Sequence, residues 1–357
     1  MSGAVRVAAG VPSERAVTLK HGAGGRAMRR LIEETLTTGY DTAGESAPAW
    51  AIGLTALDDG AAIPVGDGWL VVTTDAHVIH PIVFPGGDIG RLAICGTVND
   101  LAMMGATEPL GLTCSIILED GFSRAELERI HRSMVAACRE AGTTVVTGDT
   151  KVMGRGEIDG IAITTTGVGL TRAIVPDAGL RVGDCLVVTG TIGDHGIALM
   201  AKRHGLAADD VLCSDVAPVN GLVRAALASA DGAIVAMKDP TRGGVASCLH
   251  EMAGKSSVAI TIHEPVVPIR PAVRSAAELL GLDPLQIANE GKAIMGVRGG
   301  ETAVARVLAS LRAHPLGRDA AVIGECVPGE SGRVVLDTGF GRRLVAEVDG
   351  DPLPRIC

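Results

Sequence analysis

The C-terminus carries a residue that can do chemistry. The chain ends at Cys357, which follows Pro352 and Pro354. Proline disfavours helices and central strands, and chain ends move unless something docks them, so we expect a mobile tail that presents a thiol. The thiolate is the nucleophilic form of cysteine, with a reference pKa of about 8.5. The tail alone leaves a second interpretation open, an incidental cysteine at a frayed end.

Short acidic motifs at the ends of apolar stretches are the other candidate site residues. Aspartate beside glycine is first of all a turn residue, so one such motif carries little weight. Several together indicate a function, because hard oxygen ligands on several loops suit Mg²⁺ that bridges a polyphosphate. Lys151 adds a cation suited to a phosphate oxygen. The motifs are Asp58-Asp59, Thr74-Asp75, Gly87-Asp88, Asn99-Asp100, Gly148-Asp149-Thr150-Lys151 and Lys238-Asp239.

Two common nucleotide-binding signatures are absent from the sequence. It contains no Gly-x-x-x-x-Gly-Lys-Ser/Thr motif, and no Gly-x-Gly-x-x-Gly follows a strand and opens a helix. The glycine-rich run His21-Gly22-Ala23-Gly24-Gly25 precedes a predicted helix over 27–38. Such a turn can expose backbone N–H groups to an anion, or it can be a flexible linker.

The elements that must position these residues alternate between helix and strand. Ser123 and Glu126 form a capping box and Gly142 is a C-cap residue, which together predict a helix over 123–141. A second helix is predicted over 88–104, and strands near 69–75, 143–147 and 158–170. Five strands and five helices interleave after 183, so both halves are predicted to be α+β domains with mixed sheets.

Composition limits the class of protein. The chain has 357 residues, of which 47% are hydrophobic and 20% charged, enough for two globular domains. A formal net charge of −9 and only 2% aromatic residues argue against nucleic-acid binding. No apolar run approaches the ~18 residues of a membrane helix, and the N-terminus does not resemble a signal peptide. Eight scattered cysteines without a CxxC pair favour a reduced, cytoplasmic protein.

Taken together, the motifs resemble those of the PurM-like (AIR synthase-related) superfamily of ATP-dependent enzymes. Within it they resemble the HypE family of hydrogenase maturation proteins, the carbamoyl dehydratases. The likeness runs from about His21 to Cys357. The acidic motifs are shared across the superfamily, whereas the terminal Pro354-Arg355-Ile356-Cys357 is specific to HypE. Other matching segments are Gly193-Asp194-His195-Gly196, Asp239-Pro240-Thr241-Arg242-Gly243-Gly244 and Ala288-Asn289-Glu290-Gly291-Lys292.

The resemblance implies a two-domain α+β fold of the PurM-like type. First domains would pair across a homodimer to form a β-barrel, and ATP would bind in a cleft between the domains. The expected division is an N-terminal arm with the glycine-rich loop over 1–45, an ATP-binding domain over 46–175, a second α/β domain over 176–345, and a flexible tail over 346–357.

It also implies roles for individual residues. Cys357 would carry an S-carbamoyl group delivered by the carbamoyltransferase HypF, and ATP would convert it to S-cyanocysteine. The cyano group would pass to iron on the HypC–HypD scaffold. Glu290 would be the base and Lys151 would steady the activated oxygen or the γ-phosphate. The residues implied for ATP binding are Asp58, Asp59, Asp75, Asn99, Asp100 and Asp149, and those for Mg²⁺ are Asp58, Asp75, Asp100, Asp149 and Asp239.

Two alternatives stay open at this point. One is another ATP-consuming enzyme of the superfamily, such as a selenophosphate synthetase or an aminoimidazole ribonucleotide synthetase. A selenophosphate synthetase would be expected to have a catalytic Cys or Sec in its N-terminal glycine-rich loop, and residues 18–26 contain none. The other is a non-enzymatic maturation adaptor, in which Cys357 ferries a ligand and nucleotide only regulates docking.

Overall fold

The first half of the chain is built on a five-stranded mixed sheet. This computed structural model describes residues 16–22, 24–40, 51–206, 210–347 and 355–357. The strands lie in the order β1-β2-β7-β5-β6, with β5 and β6 parallel and the other pairs antiparallel. Their bounds are β1 Ala61–Val65, β2 Gly68–His77, β5 Pro109–Glu119, β6 Val145–Met153 and β7 Ile161–Thr171, and a two-stranded ribbon, β3 Val83–Phe84 with β4 Gly87–Asp88, precedes the first long helix.

Two helices cover one face of this sheet and begin and end where the capping residues predict. They are α2 Ile89–Met103 and α3 Arg124–Ala141; a short α1, Arg26–Leu31, precedes the sheet and continues into a π-helical turn, Ile32–Leu36. Asp88 accepts a hydrogen bond from the Arg91 N–H at 2.9 Å, and Ser123 accepts one from the Glu126 N–H. Gly142 ends α3 with φ 72°. The predicted helices over 88–104 and 123–141 are therefore present.

The second half is a seven-stranded mixed sheet with helices on both faces. The strand order is β14-β13-β10-β12-β8-β11-β9. One core lies against α6, and the opposite core lies between α5 and α8. The strands are β8 Cys185–Val188, β9 Ile234–Lys238, β10 Ala259–His263, β11 Ile294–Val297, β12 Ala321–Val327, β13 Val334–Asp337 and β14 Arg342–Leu344, and the helices are α4 Asp194–Arg203, α5 Asn220–Ala230, α6 Gly244–Lys255, α7 Pro271–Leu280 and α8 Gly300–Ala313.

The two halves share core and hydrogen bonds. Residues of α2 and α3 pack in one cluster with residues of α4 and α7. Asn220 donates from its side chain to the carbonyls of Thr107 and Ala141, at 3.0 and 2.9 Å, and Arg91 donates to the carbonyl of Val216 at 2.9 Å. The two halves are therefore held together by a common apolar core and by hydrogen bonds between side chains and main chain.

Some expectations differ from the structure. Strand β5, which is as long as β7, was not predicted. Strand β6 continues well past the expected end at 147. Among the described residues the first sheet is open, ending at β1 on one side and at β6 on the other, so the expected barrel is not closed within one chain. Every residue of β6 is exposed. Within the described ranges, each helix is too short or too polar to cross a lipid bilayer.

Candidate active site

A cavity of about 810 Å³ lies between the two halves and contains most of the predicted site residues. Its lining comes from the glycine-rich loop and α1, the loop before β1, strand β2, α2, the end of β9 with the segment that follows it, α6, and the two chain segments that carry Glu290 and Cys357. The predicted residues in the lining are Asp58, Asp59, Asp75, Asp100, Asp239, Glu290 and Cys357. Residues far apart in sequence therefore meet at one place.

The glycine-rich loop closes one wall of this cavity. Gly24 and Gly25 both lie in its lining. Gly24 has φ +79°, and a Cβ added there would lie 2.7 Å from the carbonyl oxygen of Arg242. Only glycine can bring the loop this close to the segment before α6. The predicted helix over 27–38 is divided in the structure into the six-residue α1 and the π-helical turn, and Ala23 lies outside the described residues.

The carboxyl groups of Asp75, Asp100 and Asp239 form an acidic group on the floor of the cavity. Burial, and after it the charges of Asp239, Asp75 and Asp59, raise the pKa of Asp100 well above its usual value. Burial and the charge of Asp59 do the same for the pKa of Asp239. Thr73 donates to Asp100 at 2.9 Å and fixes its orientation. Such a site has a strong electrostatic preference for a cation.

Asp75 is kept ionised by its neighbour on the same strand. Burial would raise its pKa, but His77 at 3.0 Å, together with the charge of Arg242 and the Ala76 N–H, outweighs this, and the pKa of Asp75 is lowered. A Cβ added at Gly96 of α2 would lie 2.9 Å from both the Asp75 carboxylate oxygen and the His77 ring nitrogen Nε2. The helix therefore carries glycine where this pair packs against it.

Lysine residues neutralise the other side of the acidic group. Lys238 contacts Asp59 at 2.6 Å and Asp177 at 3.3 Å. Lys255 contacts Asp177 at 2.5 Å and donates to the carbonyl of Leu57 at 2.6 Å. No role was predicted for Lys238, Asp177 or Lys255. Lys238 precedes the singled-out Asp239, which was a usable signal, whereas Asp177 lies in the connection between the halves and carries none.

Asp58 is bound by main-chain donors. One of its carboxylate oxygens accepts the N–H of Asp59 at 2.9 Å, and the other accepts the N–H of Asp177 at 3.1 Å. Burial, followed by the charges of Asp177 and Asp59, raises the pKa of Asp58 to about 7. The group therefore lies at the cavity wall with both oxygens already oriented.

The donor set fits Mg²⁺ held together with a polyphosphate. Among the described residues, Asp59 Oδ2 and Glu290 Oε1 are buried oxygens without a hydrogen-bond partner. Within the same ranges, no three His, Cys, Asp or Glu side chains converge closely enough to hold a metal ion by themselves. Mg²⁺ commonly takes one or two carboxylates and completes its shell with water and phosphate oxygens, which agrees with both observations.

Glu290 is fixed through its main chain while its side chain stays free. Its N–H donates to Asp215 at 3.1 Å, and its carbonyl accepts from the Asn99 amide at 3.2 Å. Asp215 is in turn paired with Lys292 at 3.0 Å. Burial, then the charges of Asp239 and Asp75, raise the pKa of Glu290 well above its usual value. Its carboxylate is therefore a stronger base than that of an ordinary glutamate.

The tail is docked, and Cys357 lies at the cavity. The Val78 N–H donates to the carbonyl oxygen of Cys357 at 3.3 Å, and Ile356 is only 5% exposed. Burial raises the pKa of the Cys357 thiol well above its usual range, and Arg242 offsets this only in part. Pro352 and Pro354, on which the prediction of a mobile tail rests, lie outside the described residues.

Three predicted residues do not lie in the cavity lining. Asp149 and Lys151 pair with each other at 2.7 Å on the exposed strand β6. Asn99 is buried, and its amide donates to the carbonyls of Ala217 and Glu290 and accepts from the Val219 N–H. Asn99 thus ties α2 to the second half. Within this chain Asp149 and Lys151 lie outside the lining of the cavity, and the roles of all three residues in binding ATP or Mg²⁺ stay predictions.

Comparison with known proteins places this geometry in a family. Residues 57–171 match the family model of the AIR synthase related protein N-terminal domain, and residues 181–337 match that of the C-terminal domain. The carbamoyl dehydratase HypE of Rhizobium leguminosarum bv. viciae is 46% identical over 350 residues, which cover 96% of this chain and 95% of the relative. The chain belongs to the HypE carbamoyl dehydratase family. The predicted resemblance, and with it the two-domain AIR synthase-like fold, is confirmed.

Two solved structures of this family are similar to the chain. A crystal structure of a HypE–HypF complex contains a chain that is 40% identical with a TM-score of 0.80, covering 89% of this chain and 99% of that one. A crystal structure of the hydrogenase maturation protein HypE in complex with ATP is 39% identical with a TM-score of 0.78, covering 95% of this chain and 100% of that one.

Proposed function

We propose that this protein uses ATP to dehydrate an S-carbamoyl group on Cys357 to an S-cyano group. The observation that carries the proposal is the position of Cys357, which lines the same cavity as Glu290 and the acidic group. The 46% identity to a carbamoyl dehydratase and the solved complex of a relative with ATP support it. Hydrogenase maturation is the corresponding process, and HypF the corresponding carbamoyl donor.

The reaction balances as a phosphorylation followed by an elimination. The carbamoyl oxygen attacks the γ-phosphorus, the bond to the β-phosphate oxygen breaks, ADP leaves, and nitrogen loses its first proton. Nitrogen then loses its second proton as the carbon–oxygen bond breaks and phosphate departs, which leaves a carbon–nitrogen triple bond on sulfur. An amide oxygen is a poor leaving group, and phosphorylation is what makes its departure possible.

Different residues of this chain are suited to proton transfer, to orienting the carbamoyl group and to binding Mg²⁺. Glu290, whose pKa is raised by burial, accepts a proton from the carbamoyl nitrogen. Arg242 interacts electrostatically with Cys357, Asp75 and Glu290, so it is suited to orient the carbamoyl oxygen. Asp58, Asp75, Asp100 and Asp239 would hold Mg²⁺ with the phosphates, and the ion would supply positive charge to the phosphoryl oxygens. Asp59 is held by Lys238 beside them.

A second copy of the chain would complete the molecule. Within the described ranges strand β6 has one edge without a partner strand, and Val146 and Val152 on it are 62% and 67% exposed. Long unpaired edges normally pair or are covered. We include in the proposal a homodimer in which the first sheets join as a barrel at this edge. Asp149 and Lys151 lie on the same strand, so the dimer is the arrangement in which the roles proposed for them, in ATP binding and in steadying the γ-phosphate, would be met.

The partners follow from the chemistry of the product. The cyano group would pass to an iron-bearing HypC–HypD scaffold after HypF has supplied the carbamoyl group. For that exchange the tail must leave the cavity, and the segment that connects it to the second domain has to be long enough for Cys357 to reach the scaffold. The proposal places the whole cycle in the cytoplasm.

Peptide mass measurement tests the proposal directly. The protein is incubated with the carbamoyl donor protein, carbamoyl phosphate and ATP, and the C-terminal peptide is then weighed. We expect a carbamoylated Cys357 that loses one water only when ATP is present. Cyanide formation by Cys357→Ala would refute the dehydratase, and ATP binding without any loss of water would favour the adaptor.

A further inference from the structure

The docked end of the chain is held mainly by its backbone. The side chain of Arg203 donates to the carbonyl of Arg355 at 2.6 Å, and the ring of His195 donates to that of Ile356 at 2.8 Å. The His80 N–H also donates to the carbonyl of Arg355, at 3.2 Å. We call Val78, His80, His195 and Arg203 the tail seat. Because these contacts go to main-chain atoms, the seat fixes the path of the chain up to its last residue.

Arg203 joins the tail to the first domain. A second nitrogen of the same guanidinium donates to the carbonyl of His80 at 2.7 Å. One charged side chain at the end of α4 thus ties together the tail and the segment that follows β2. Hydrogen bonds from a charged donor are about twice as strong as neutral ones, and the planar fork of arginine makes both at once.

His195 is oriented to hold the tail from the opposite direction. Burial lowers its pKa, so the ring is neutral near neutral pH. Since a carbonyl only accepts, Nε2 carries the proton, and Nδ1 accepts from the hydroxyl of Ser214 at 2.7 Å. Ser214 itself is fixed, because its N–H donates to the carbonyl of Pro85 at 2.8 Å. His195 therefore has one defined tautomer and one defined direction.

Side chains of the tail add one strong and one weak contact. Ile356 is buried among residues of both domains, and burying an isoleucine is strongly favourable. Arg355 pairs with Asp159, but Asp159 is 73% exposed at its side chain, and exposed ion pairs contribute little. The contacts of Ile356, His195 and Arg203 therefore account for most of the docking.

Docking changes what the thiol of Cys357 can meet. In the seat the thiol faces the cavity, beside Arg242 and Glu290, and burial raises its pKa. A thiol on a tail released into water has the ordinary pKa of about 8.5, and it is open to reagents in solution. The same contacts thus present the sulfur to the cavity and leave Cys357 only partly exposed to solvent.

We propose that Arg203 and His195 are positioning residues that hold the tail in its docked state. The strength of their contacts then sets the fraction of molecules in which the tail is released and Cys357 is available to an incoming acyl donor. The delivery of the sulfur substituent to Glu290 rests on the proposed function. The shielding of the thiol does not, and it holds for any role of this cysteine.

Alkylation of Cys357 measures the shielding. The full-length protein is treated with iodoacetamide, and modification of the C-terminal peptide is followed by mass. Arg203→Ala removes two charge-assisted hydrogen bonds, so we expect alkylation to be about tenfold faster or more. His195→Ala should act in the same direction. Asp159→Asn should change the rate less than about threefold, and the exposed Arg306→Ala on α8 should leave it unchanged.

An internal reporter keeps this test independent of folding. Cys95 is fully buried in α2, so its peptide stays unmodified as long as a variant is folded. Faster alkylation of Cys357 with Cys95 still protected supports the seat. Equal rates of Cys357 alkylation in wild type and Arg203→Ala, or an effect of Asp159→Asn as large as that of Arg203→Ala, would overturn it.

Single-turnover dehydration tests delivery. With the chain carbamoylated at Cys357 and saturating ATP, Arg203→Ala should lower the rate of water loss about tenfold while the KM for ATP stays unchanged, because Arg203 does not line the cavity. Arg203→Lys should recover part of the rate, since lysine supplies charge without the fork. A wild-type rate in Arg203→Ala would refute delivery. Absence of dehydration in the wild type would refute the proposed function alone, and the alkylation result would still decide the seat.

Discussion

Glu290 shows how a reactive side chain is fixed without occupying its own oxygens. Asp215 and Asn99 hold the main chain on both sides of the residue, and Glu290 Oε1 has no partner among the described residues. A buried acceptor without a partner normally costs stability. At this position it leaves the carboxylate free to meet a substrate, which is what a general base requires.

Replacing this carboxylate by an amide should stop proton transfer. We expect Glu290→Gln to lower the rate of dehydration by about 10²- to 10⁴-fold, while ATP still binds. The pKa of Glu290 is raised, and a base works only when it is deprotonated, so the wild-type rate should fall as pH decreases through that raised pKa. Single-turnover rates measured across pH check both points. A Glu290→Gln variant that retains the wild-type rate would exclude this residue as the base.

At the scale of elements, helix α2 positions the acidic floor by packing closely against β2. Gly96 allows the Asp75–His77 pair to lie directly on the helix, and Asn99 and Asp100 follow on the next turn. Gly221, in the first turn of α5 and outside the cavity lining, is the matched case, since a Cβ added there would lie 3.6 Å from the His314 ring, an ordinary contact distance.

The two glycines should respond in opposite ways to the same change. Gly96→Ala places a methyl group 2.9 Å from the Asp75 oxygen, so we expect about 1–3 kcal/mol of destabilisation and weaker binding of Mg²⁺ with ATP. Gly221→Ala should be neutral or stabilise by up to about 1 kcal/mol. Urea unfolding and nucleotide titration measure both. A Gly96→Ala variant with wild-type affinity and stability would contradict the packing described here.

The exposure of strand β6 predicts how the chain assembles. A lysine on each copy of a self-complementary edge places like charges together, so we expect Val146→Lys with Val152→Lys to convert a dimer to a monomer. Val182, 56% exposed and outside β6, supplies the control Val182→Lys, which should remain dimeric. Light scattering gives the mass in solution. A wild-type protein that is monomeric at every concentration tested would remove the homodimer from the proposal.

At the scale of the whole molecule, the cleft brings together more acidic groups than the chain neutralises. Lys238 and Lys255 offset Asp59 and Asp177, whereas burial still raises the pKa values of Asp58, Asp100, Asp239 and Glu290. Each of these carboxyl groups is more easily protonated in the folded chain than in the unfolded one. Without nucleotide or metal, repulsion between these carboxylates therefore destabilises the folded protein.

This repulsion predicts how stability depends on pH. A carboxyl group with a raised pKa in the folded state stabilises the fold below its unfolded pKa of about 4, and that contribution is lost as pH rises through the folded pKa. For Asp58 the window ends at about 7. In EDTA without nucleotide, the free energy of unfolding should decrease between pH 4 and 7 by up to about 1.4 kcal/mol per pH unit from this group.

Substitution of Asp58 provides the check. Asp58→Asn keeps an oxygen for the main-chain N–H donors and removes the titration, so the decrease should become shallower. Asp67→Asn, on the exposed turn between β1 and β2, should leave the slope as it is. Unfolding midpoints measured at several pH values give the comparison. Identical slopes in wild type and Asp58→Asn would mean that Asp58 is not the group that titrates.

Local signals in the sequence determined the helices and the identity of most site residues. Ser123, Glu126 and Gly142 set the ends of α3, since capping depends on neighbouring residues alone. Aspartates at element ends, together with the terminal cysteine, marked six residues that line the cavity, and the family resemblance added Glu290. Strand β5 was missed because its sequence does not alternate between apolar and polar residues: Ile116, Ile117 and Leu118 follow one another, and burial along the strand is irregular.

Only the tertiary structure decided which residues meet and what they do there. In the sequence Asn99 belongs to the same motif as Asp100, yet its contacts tie the two domains together. Arg203 and His195 carry no signal for tail docking, because their partners at Arg355 and Ile356 lie over 150 positions away along the chain. Every residue has a main-chain carbonyl, so a hydrogen bond to one does not depend on the type of the accepting residue. The sequence therefore identifies the reactive sulfur, and the fold determines where it is held.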